Sequence, residues 1–543
     1  MLNRRGFLVH TSRLCAAMAV GSEAGSWPER AGVRRFHACI SALALERHPE
    51  LPAIVARAGV SDVWMAGFLF GYWYRTPAQL RQLARVFEGH GLRTHIVNVP
   101  LGHPGNALGV VDENTPVTPP AHWRFAQRPD GSAYAGTSIH PPAQEENVRA
   151  IRDLHRAGFR EVFLDDDFRV AISPGQIGGC FCPACREEFL QSTGYRQDAI
   201  PELLDCVATR TPSAVLGAWI DHWCGKLHDM LLAQQRAMPG GEVGIMVMYL
   251  GAEKAGIPLD RLSSVPFRVG ELMFDDASFG TPKGKADELF SALFHRRFSP
   301  PESAYSETTA YPADRLSARN MAAKLTVSLI ADVRNTMFMS GLLPFPIEHW
   351  DALGPAMAES ARLHERIAGH RPQGPVKHYF GVDERLVGED QPFSLFLAMG
   401  VPFEVVDELP TTGWTFLGNA DARAVAEGRL RSHGRRLYVR PGVLGSHRDL
   451  IPVSEDLSGL MALKQTLIPR LRGVPYVLES VPAVLAWYPT AHCGLVWNLS
   501  EQAQRLTVSR DGAAVACVDL PPLSVRLVEG LGPAREGPLP APS

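Results

Sequence analysis

An alternation of short apolar strands and amphipathic helices between about residues 34 and 345 most constrains the fold of this 543-residue chain. Apolar runs bounded by glycine, proline or charged residues recur along this stretch, and segments with helical spacing separate them. The runs are residues 36–41, 62–68, 92–99, 161–164, 243–248, 267–273, 303–306 and 336–339. Strands that alternate with helices form parallel sheets, and eight such units close into a (β/α)8 barrel. We therefore predict an α/β protein built on a TIM barrel.

The pattern changes after the barrel. A Pro/Gly linker, 371–375, precedes two buried strands at 402–406 and 436–439, which predict a small α/β domain. Strand-rich sequence follows, and Asp511-Gly512 is a hairpin signal between two of its strands. We predict a barrel over 29–370, the small α/β domain over 371–450 and a C-terminal β-sandwich over 451–535.

Charge and hydropathy exclude two classes of partner. The formal net charge is −3, so the sequence lacks the basic footprint of a nucleic-acid-binding protein. It also lacks an uninterrupted apolar run of about 20 residues, the length that a membrane-spanning helix needs. We expect neither a nucleic-acid partner nor a membrane span.

The N-terminus has the pattern of an export signal. Arg4-Arg5 is followed by Phe7-Leu8 and then by a mildly apolar stretch, 16–20. This arrangement is typical of a bacterial twin-arginine signal. We predict that residues 1–28 form such a signal and that the mature protein is periplasmic or secreted. The alternative is a cytosolic leader.

Three consecutive carboxylates, Asp165, Asp166 and Asp167, end the fourth predicted strand. Adjacent carboxylates repel one another, and a fold retains them where chemistry or a cation uses them. The C-terminal end of a barrel strand is also where TIM-barrel enzymes carry catalytic groups. The alternative is a solvated loop that caps the next helix. Arg169 either pairs with the triplet or holds a substrate carboxylate, and Glu271 is a weaker candidate for a substrate contact.

A cysteine cluster follows the triplet. Cys180, Cys182 and Cys185 have the spacing of ligands to a tetrahedral Zn²⁺, which requires a fourth ligand. Three free thiols, or one disulfide in an oxidising compartment, are the alternatives. The small α/β domain has no Gly-rich phosphate loop, and we expect no organic cofactor.

The domain order and two of these motifs resemble glycoside hydrolase family 42, the β-galactosidase family of clan A. In that family the fourth strand ends in Asp-Asn-Glu-Tyr, and a Cys-x-Cys-x-x-Cys cluster follows. The resemblance places Asp167 at the position of the general acid/base and Asp166 at the position of the Asn. The seventh strand of the family ends in Met-Glu-Gln-x-Pro, so Glu307 in Tyr305-Ser306-Glu307 takes the position of the nucleophile.

The resemblance implies an exported glycoside hydrolase that acts on a carbohydrate, with a retaining mechanism slightly favoured over an inverting one. It implies a structural Zn²⁺ at the cysteine cluster. His140 stands near the position of the family's remaining cysteine, and Cys206 is the alternative fourth ligand. The family's small domain is like a class I glutamine amidotransferase and mediates trimer formation, which implies a homotrimer.

The sequence departs from the family at the fourth strand, where aspartate replaces both Asn and Glu. The donor to the sugar 2-hydroxyl is thereby lost, so β-galactosidase specificity does not carry over. Asp165 and Asp166 would orient and tune the acid, and Trp64 and Trp350 are candidate platforms for a sugar ring. A metal-dependent sugar lyase or epimerase on the same barrel, and a non-catalytic carbohydrate-binding protein, are the alternative functions.

Overall fold

The computed structural model describes residues 34–101, 120–165, 168–171, 173–270, 272–340, 344–443 and 447–533, and its first part is a closed barrel. The strands of this part are β1 (Arg35–Cys39), β2 (Asp62–Leu69), β3 (Tyr72–Trp73), β4 (Arg93–Val99), β5 (Phe125–Gln127), β6 (Ala133–Thr137), β7 (Glu161–Leu164), β8 (Glu242–Met248), β9 (Phe267–Gly270), β10 (Ala304–Thr309) and β11 (Asn335–Met339). The order β1-β2-β4-β7-β8-β9-β10-β11 is parallel throughout, and β11 pairs back onto β1. The predicted TIM barrel is confirmed.

Helices surround the barrel, and local sequence signals fix their ends. They are α1 (Ala42–Arg47), α2 (Leu51–Ala58), α3 (Pro77–Glu88), α4 (Pro141–Arg156), α5 (Pro183–Thr193), α6 (Ala199–Thr209), α7 (Ala214–Arg236), α8 (Asp276–Phe279), α9 (Pro282–His295), α10 (Ala318–Ile330) and α11 (His349–His364). In α3, Thr76 and Gln79 form a capping box at the start. Leu80, Ala84 and Phe87 then recur at helical spacing and are buried against the barrel.

Side chains alternate between the interior of the barrel and the layer beneath the helices. Trp64, Val97, Phe163, Tyr305 and Met337 form one buried cluster within the barrel. They come from five different strands, so their rings and branched chains fill the interior. The interior of the barrel is therefore a packed core.

A buried ion network closes the N-terminal end of the barrel. Asp62 is fully buried, and its carboxylate lies 2.6 Å from Arg35, 2.9 Å from Arg93 and 2.8 Å from His95. Burial alone would raise the pKa of Asp62, but His37, His95 and Arg35 hold that pKa well below its usual value. Asp62 is therefore charged whenever the protein is folded at ordinary pH.

A second, parallel sheet follows the barrel. Its strands are β12 (Val376–Tyr379), β13 (Phe403–Val406), β14 (Trp414–Leu417), β15 (Leu437–Val439) and β16 (Leu450–Pro452), with helices α12 (Val382–Val387), α13 (Asn419–Ala426) and α14 (Leu457–Leu467). The order is β13-β12-β14-β15-β16. The predicted boundary at residue 450 falls at the start of β16. The division into domains stays a prediction.

Two antiparallel three-stranded sheets complete the chain. Their strands are β17 (Tyr476–Val477), β18 (Ala483–Tyr488), β19 (Cys493–Asn498), β20 (Gln504–Arg510), β21 (Ala513–Leu520) and β22 (Val525–Glu529). Asp511 and Gly512, with φ of 51° and 80°, form the turn between β20 and β21. Two positive φ values suit a two-residue hairpin, so the hairpin predicted at this dipeptide is confirmed. In the described part of the chain, no helix combines the length and the apolar character needed to span a bilayer.

Candidate active site

Two carboxylates and one guanidinium meet inside the C-terminal half of the barrel. Asp165 directly follows β7, Arg268 lies in β9 and Glu307 lies in β10. The Arg268 guanidinium forms an ion pair with Asp165 through Nη2, and its Nε lies 3.0 Å from Glu307 Oε2. The other oxygen of Glu307 accepts a hydrogen bond from Thr309. One cation thus joins acids from two different strands.

Strand alternation explains why these side chains face one another. Phe163 and Tyr305 lie in the interior cluster, and Asp165 and Glu307 follow them by two residues. The two acids therefore occupy the next layer toward the mouth of the barrel. The Arg268 guanidinium lies over the Phe163 ring, 5.3 Å from its centroid.

The charges at this site are strongly coupled because all three groups are buried. Burial raises the pKa of Glu307, Arg268 opposes that rise, and Asp165 adds to it. Burial alone would lower the pKa of Arg268, but Asp165 and Glu307 raise it above its usual value. A permanently charged guanidinium between two acids offsets part of their negative charge, but burial outweighs this effect, so the pKa of Glu307 is raised, as is common at catalytic positions.

The remaining acids predicted for the mouth, Asp166, Asp167 and Glu271, lie outside the described residues. Phe168, directly after the triplet, has a φ of 34°. A bulky residue in this region is strained, and such strain is concentrated at functional sites. Arg169 is buried nearby, donates from Nε to the Ala171 carbonyl at 2.7 Å, and places Nη1 3.9 Å from Met248 Sδ.

A small cavity of about 40 Å³ lies beside Asp165. Cys39 and Met339, at the ends of two neighbouring strands, line it together with Trp64. The Trp64 indole donates to His37 Nδ1 at 3.1 Å and packs against Phe163 at 4.6 Å. Trp64 is thus a core residue that also borders the cavity beside Asp165. Its predicted role as a platform for a sugar ring stays a prediction.

Trp350 lies in a different part of the molecule. It belongs to α11, is buried, and packs against Phe338 and Phe345. Phe338 alternates with the interior residue Met337 on β11, so it faces the helix layer. The structure therefore does not bring Trp350 together with Asp165 and Glu307.

The three clustered cysteines converge as their spacing predicts. The sulfur atoms of Cys180, Cys182 and Cys185 all lie within 4.8 Å of one another, and all three residues are buried. Cys182 directly precedes α5, and Cys180 accepts from the backbone N–H of Gln127, which ends β5. The cluster thus joins the β5–β6 hairpin to α5 and could bind a metal ion.

The predicted fourth ligand, His140, is placed nearby but is otherwise engaged. Its Nε2 accepts from the backbone N–H of Arg124 at 2.8 Å, and it lies outside the group of mutually close sulfur atoms. Burial lowers the pKa of His140 to about 4, so the ring is neutral at ordinary pH. Two polar side chains contact the cluster: Ser138 Oγ lies 3.1 Å from Cys185 Sγ, and Arg124 Nη2 lies 3.5 Å from the same sulfur atom. Cys206 is likewise outside the group.

Sequence reasoning missed Arg268 and Thr309. A signal for Arg268 existed, because it lies near the start of the predicted apolar strand at 267–273, and a charge in a buried strand requires a partner. Thr309 carried no comparable signal. It follows Glu307 by two residues on the same strand, and only the structure shows its hydroxyl turned back to the carboxylate.

The fold is shared with solved β-galactosidases. The structure matches that of the β-galactosidase from the psychrophilic Marinomonas ef1 with a TM-score of 0.60, at 10% identity, over 91% of this chain and 100% of that chain. It matches the cold-adapted β-galactosidase from Rahnella sp. R3 with a TM-score of 0.59, at 10% identity, over 92% and 98% of the two chains.

The β-galactosidase from Bacillus circulans sp. alkalophilus is similar to the same degree, with a TM-score of 0.59 at 10% identity, over 92% of this chain and 99% of that chain. No protein family model and no curated protein sequence matches the chain. The predicted resemblance to the β-galactosidase architecture is therefore confirmed for the fold, across nearly the whole described chain and at low identity.

Proposed function

We propose that this protein is a glycoside hydrolase that cleaves a carbohydrate substrate at the C-terminal mouth of its barrel. The observation that carries the proposal is that Asp165, the first residue of the acidic triplet, and Glu307 share one buried guanidinium. Asp165 and Glu307 therefore border one site from the ends of two strands. Glycoside hydrolysis requires carboxyl groups on opposite sides of the scissile bond, and we propose Asp167 and Glu307 for this pair.

In the proposed reaction Asp167 donates a proton to the leaving oxygen, and Glu307 attacks the anomeric carbon. Water, activated by Asp167, then releases the sugar from Glu307. Asp166 would tune the pKa of Asp167 through like-charge repulsion. This retaining pathway requires carboxyl groups about 5–5.5 Å apart, and an inverting enzyme would hold them about 6.5–9.5 Å apart.

The test is hydrolysis of a panel of 4-nitrophenyl glycosides, beginning with β-galactosides, by the parent and by Glu307→Gln. We expect turnover on at least one glycoside and a loss of about 10³-fold or more in the variant, because a nucleophile is essential to this chemistry. Glu302→Gln is the matched control, since Glu302 is an exposed acid five positions earlier. Equal activity of parent and Glu307→Gln on every hydrolysed glycoside would refute the assignment.

The retaining mechanism has its own test. Glu307→Gly leaves space for a small nucleophile, so azide should restore turnover and yield a glycosyl azide of inverted configuration. Failure of azide to restore turnover, together with release of an inverted sugar by the parent, would assign the inverting pathway instead.

The metal-dependent alternative places a divalent cation among the acids. In the structure the Arg268 guanidinium already supplies positive charge to Asp165 and Glu307, which favours the hydrolase. Loss of activity in EDTA and recovery with Mg²⁺ or Mn²⁺ would support the metal-dependent enzyme. Glycan binding without turnover, unchanged in Glu307→Gln, would support a non-catalytic binding protein.

We also propose that the cysteine cluster holds a structural Zn²⁺. Tetrahedral Zn–S bonds of about 2.3 Å place sulfur atoms about 3.8 Å apart, which fits three sulfur atoms within 4.8 Å. Cys180, Cys182 and Cys185 would supply three ligands, and Ser138 or a shifted His140 borders the fourth position. The metal would hold the β5–β6 hairpin against α5. Elemental analysis should find one zinc per chain, and Cys182→Ser should lose it. A zinc-free parent with reactive thiols would refute the site.

Export and assembly complete the proposal. We propose that residues 1–28 direct export by the twin-arginine route, so Arg4→Lys combined with Arg5→Lys should retain the protein in the cytoplasm. We further propose a homotrimer, which light scattering on the purified protein would test. Unchanged localisation of the double variant and a monomeric mass would refute the two points respectively.

A further inference from the structure

Arg268 is the feature of the site that the proposed catalytic roles do not use. Its side chain is fully buried, and among the described residues its guanidinium contacts two acids, two methionine sulfur atoms and an aromatic face, with the Cys39 thiol also near it. The sulfur contacts are Met337 Sδ at 2.8 Å and Met246 Sδ at 3.2 Å. Thioethers are weak acceptors, so the acids provide almost all of the compensation for burying this charge.

The position of Arg268 in the sheet determines what it can do. It pairs in register with Met246 on β8 and with Tyr305 on β10, one layer below Glu307. Its long side chain rises from that layer and ends between the acid that follows β7 and the acid on β10. Because β9 carries it on a rigid barrel strand, the guanidinium can fix the distance between the two acids.

The contact with Glu307 differs from the contact with Asp165. Arg268 Nη2 donates a hydrogen bond to Asp165, whereas Nε approaches Glu307 Oε2 to 3.0 Å without the alignment of a hydrogen bond. Among the described residues, neither Arg268 Nε nor Glu307 Oε2 has a hydrogen-bond partner. The cation therefore stabilises the charge on Glu307 without directing a donor at this oxygen.

We propose that Arg268 is a positioning residue of the active site: it anchors to Asp165 and holds Glu307 in place as an ionised nucleophile. This inference rests on the proposed function. Its chemical basis is that a buried carboxylate beside a second carboxylate takes up a proton unless a cation opposes it. A protonated Glu307 could not attack an anomeric carbon.

Other titratable groups also act on Glu307 and limit the size of the effect. Asp165 raises the pKa of Glu307, while Lys324 of α10 and the Thr309 hydroxyl lower it. The Cys39 thiol at the end of β1 is kept neutral, because burial raises its pKa. Arg268 is the largest of the opposing influences and the only one that contacts both acids.

The experiment compares Arg268→Met, Arg268→Lys and the control Arg296→Met. Arg296 is also buried and paired with a carboxylate, Asp332 at 3.4 Å, but outside this site. On a hydrolysed 4-nitrophenyl glycoside we expect Arg268→Met to lower kcat/KM by about 10²-fold or more, mostly through kcat. The acid limb of its kcat/KM profile should move to higher pH by about one unit or more, because Glu307 must lose a proton to react.

Arg268→Lys keeps the charge and should recover part of the rate and most of the pH profile. Arg296→Met should lower the melting temperature but leave the acid limb in place. An acid limb unchanged in Arg268→Met, or a shift of equal size in Arg296→Met, would overturn the positioning role.

A thermal-stability cycle separates this inference from the proposed function. Melting temperatures of the parent, Arg268→Met, Glu307→Gln and the double variant need no substrate. If the two side chains are coupled, the loss of melting temperature in the double variant should be smaller than the sum of the losses in the two single variants. The reason is that Arg268→Met leaves the Glu307 carboxylate without its cation, and Glu307→Gln then removes that uncompensated charge. Coupling without hydrolysis of any glycoside would refute the proposed function while the electrostatic role of Arg268 stands. Hydrolysis without coupling and without a shifted acid limb would refute the inference alone.

Discussion

Replacing Asp62 by Asn at the N-terminal end of the barrel isolates the contribution of one buried charge. The substitution preserves the shape of the side chain but removes the charge that Arg35, Arg93 and His95 contact. Breaking a buried ion pair costs about 3–5 kcal/mol. The Arg35 and Arg93 side chains remain 32% and 44% exposed, so water can resolvate them. We therefore expect Asp62→Asn to lower the free energy of unfolding by about 3 kcal/mol, near the lower end of that range.

The matched control uses an ion pair of the same length at the surface. Arg334 and Glu302 are also 2.6 Å apart, but the Glu302 side chain is 58% exposed. Glu302→Gln should therefore cost less than about 1 kcal/mol. Urea unfolding followed by tryptophan fluorescence at pH 7 measures both variants. Equal losses of unfolding free energy in the two variants would refute the prediction, because the expected difference comes from the burial of Asp62.

The pH dependence of the difference in unfolding free energy between the parent and Asp62→Asn gives a second check. The native pKa of Asp62 is lowered, so its stabilisation is fully present above the unfolded pKa of about 3.9. It is lost progressively as the pH falls below that value towards the lower native pKa. The difference between the parent and Asp62→Asn should thus be constant between about pH 5 and 8 and shrink under strong acid. A difference that vanished near neutral pH would contradict this assignment.

Three further predictions concern substitutions of single residues. Thr309→Val removes the hydroxyl that donates to Glu307, so the acid limb of kcat/KM should move up by about half a pH unit, as a pH–rate profile would show. Trp350→Ala should lower the free energy of unfolding by about 3–5 kcal/mol but leave kcat/KM of the folded protein unchanged, since Trp350 packs in the helix layer; a changed kcat/KM would instead restore its predicted role as a sugar platform. Gly512→Ala should cost about 1 kcal/mol in urea unfolding, because φ is 80° although the space around Gly512 is open.

Much of the barrel could be predicted from sequence because its strands are buried on both faces. Such strands appear as short, nearly continuous apolar runs, and the fourth one was predicted at its observed bounds, Glu161–Leu164. The Asp511-Gly512 turn could also be predicted from sequence, since few residue pairs adopt positive φ at two successive positions. These features depend on local sequence alone.

The site was predicted less completely because its geometry depends on contacts between distant strands. The family resemblance predicts Glu307, but its partner Arg268 lies 39 residues earlier, in a strand whose apolar sequence predicts a core position. The position of Trp350 after the last barrel strand predicts a place at the mouth of the barrel. Its spacing to Leu353 and Met357, however, is that of a buried helix face, and this periodicity was the better guide.

The two ends of the barrel contain opposite arrangements of the same chemical groups. At the N-terminal end one carboxylate, Asp62, is surrounded by cationic partners, and its pKa is lowered. At the C-terminal end one guanidinium, Arg268, lies between Asp165 and Glu307, and the pKa of Glu307 is raised. The first arrangement fully compensates the buried carboxylate and stabilises the closed barrel. The second retains excess negative charge in a buried place, which lowers stability and is typical of a site where chemistry uses the charge. Barrel enzymes carry stability at the N-terminal face and chemistry at the C-terminal face, and the charge distribution of this barrel follows that division.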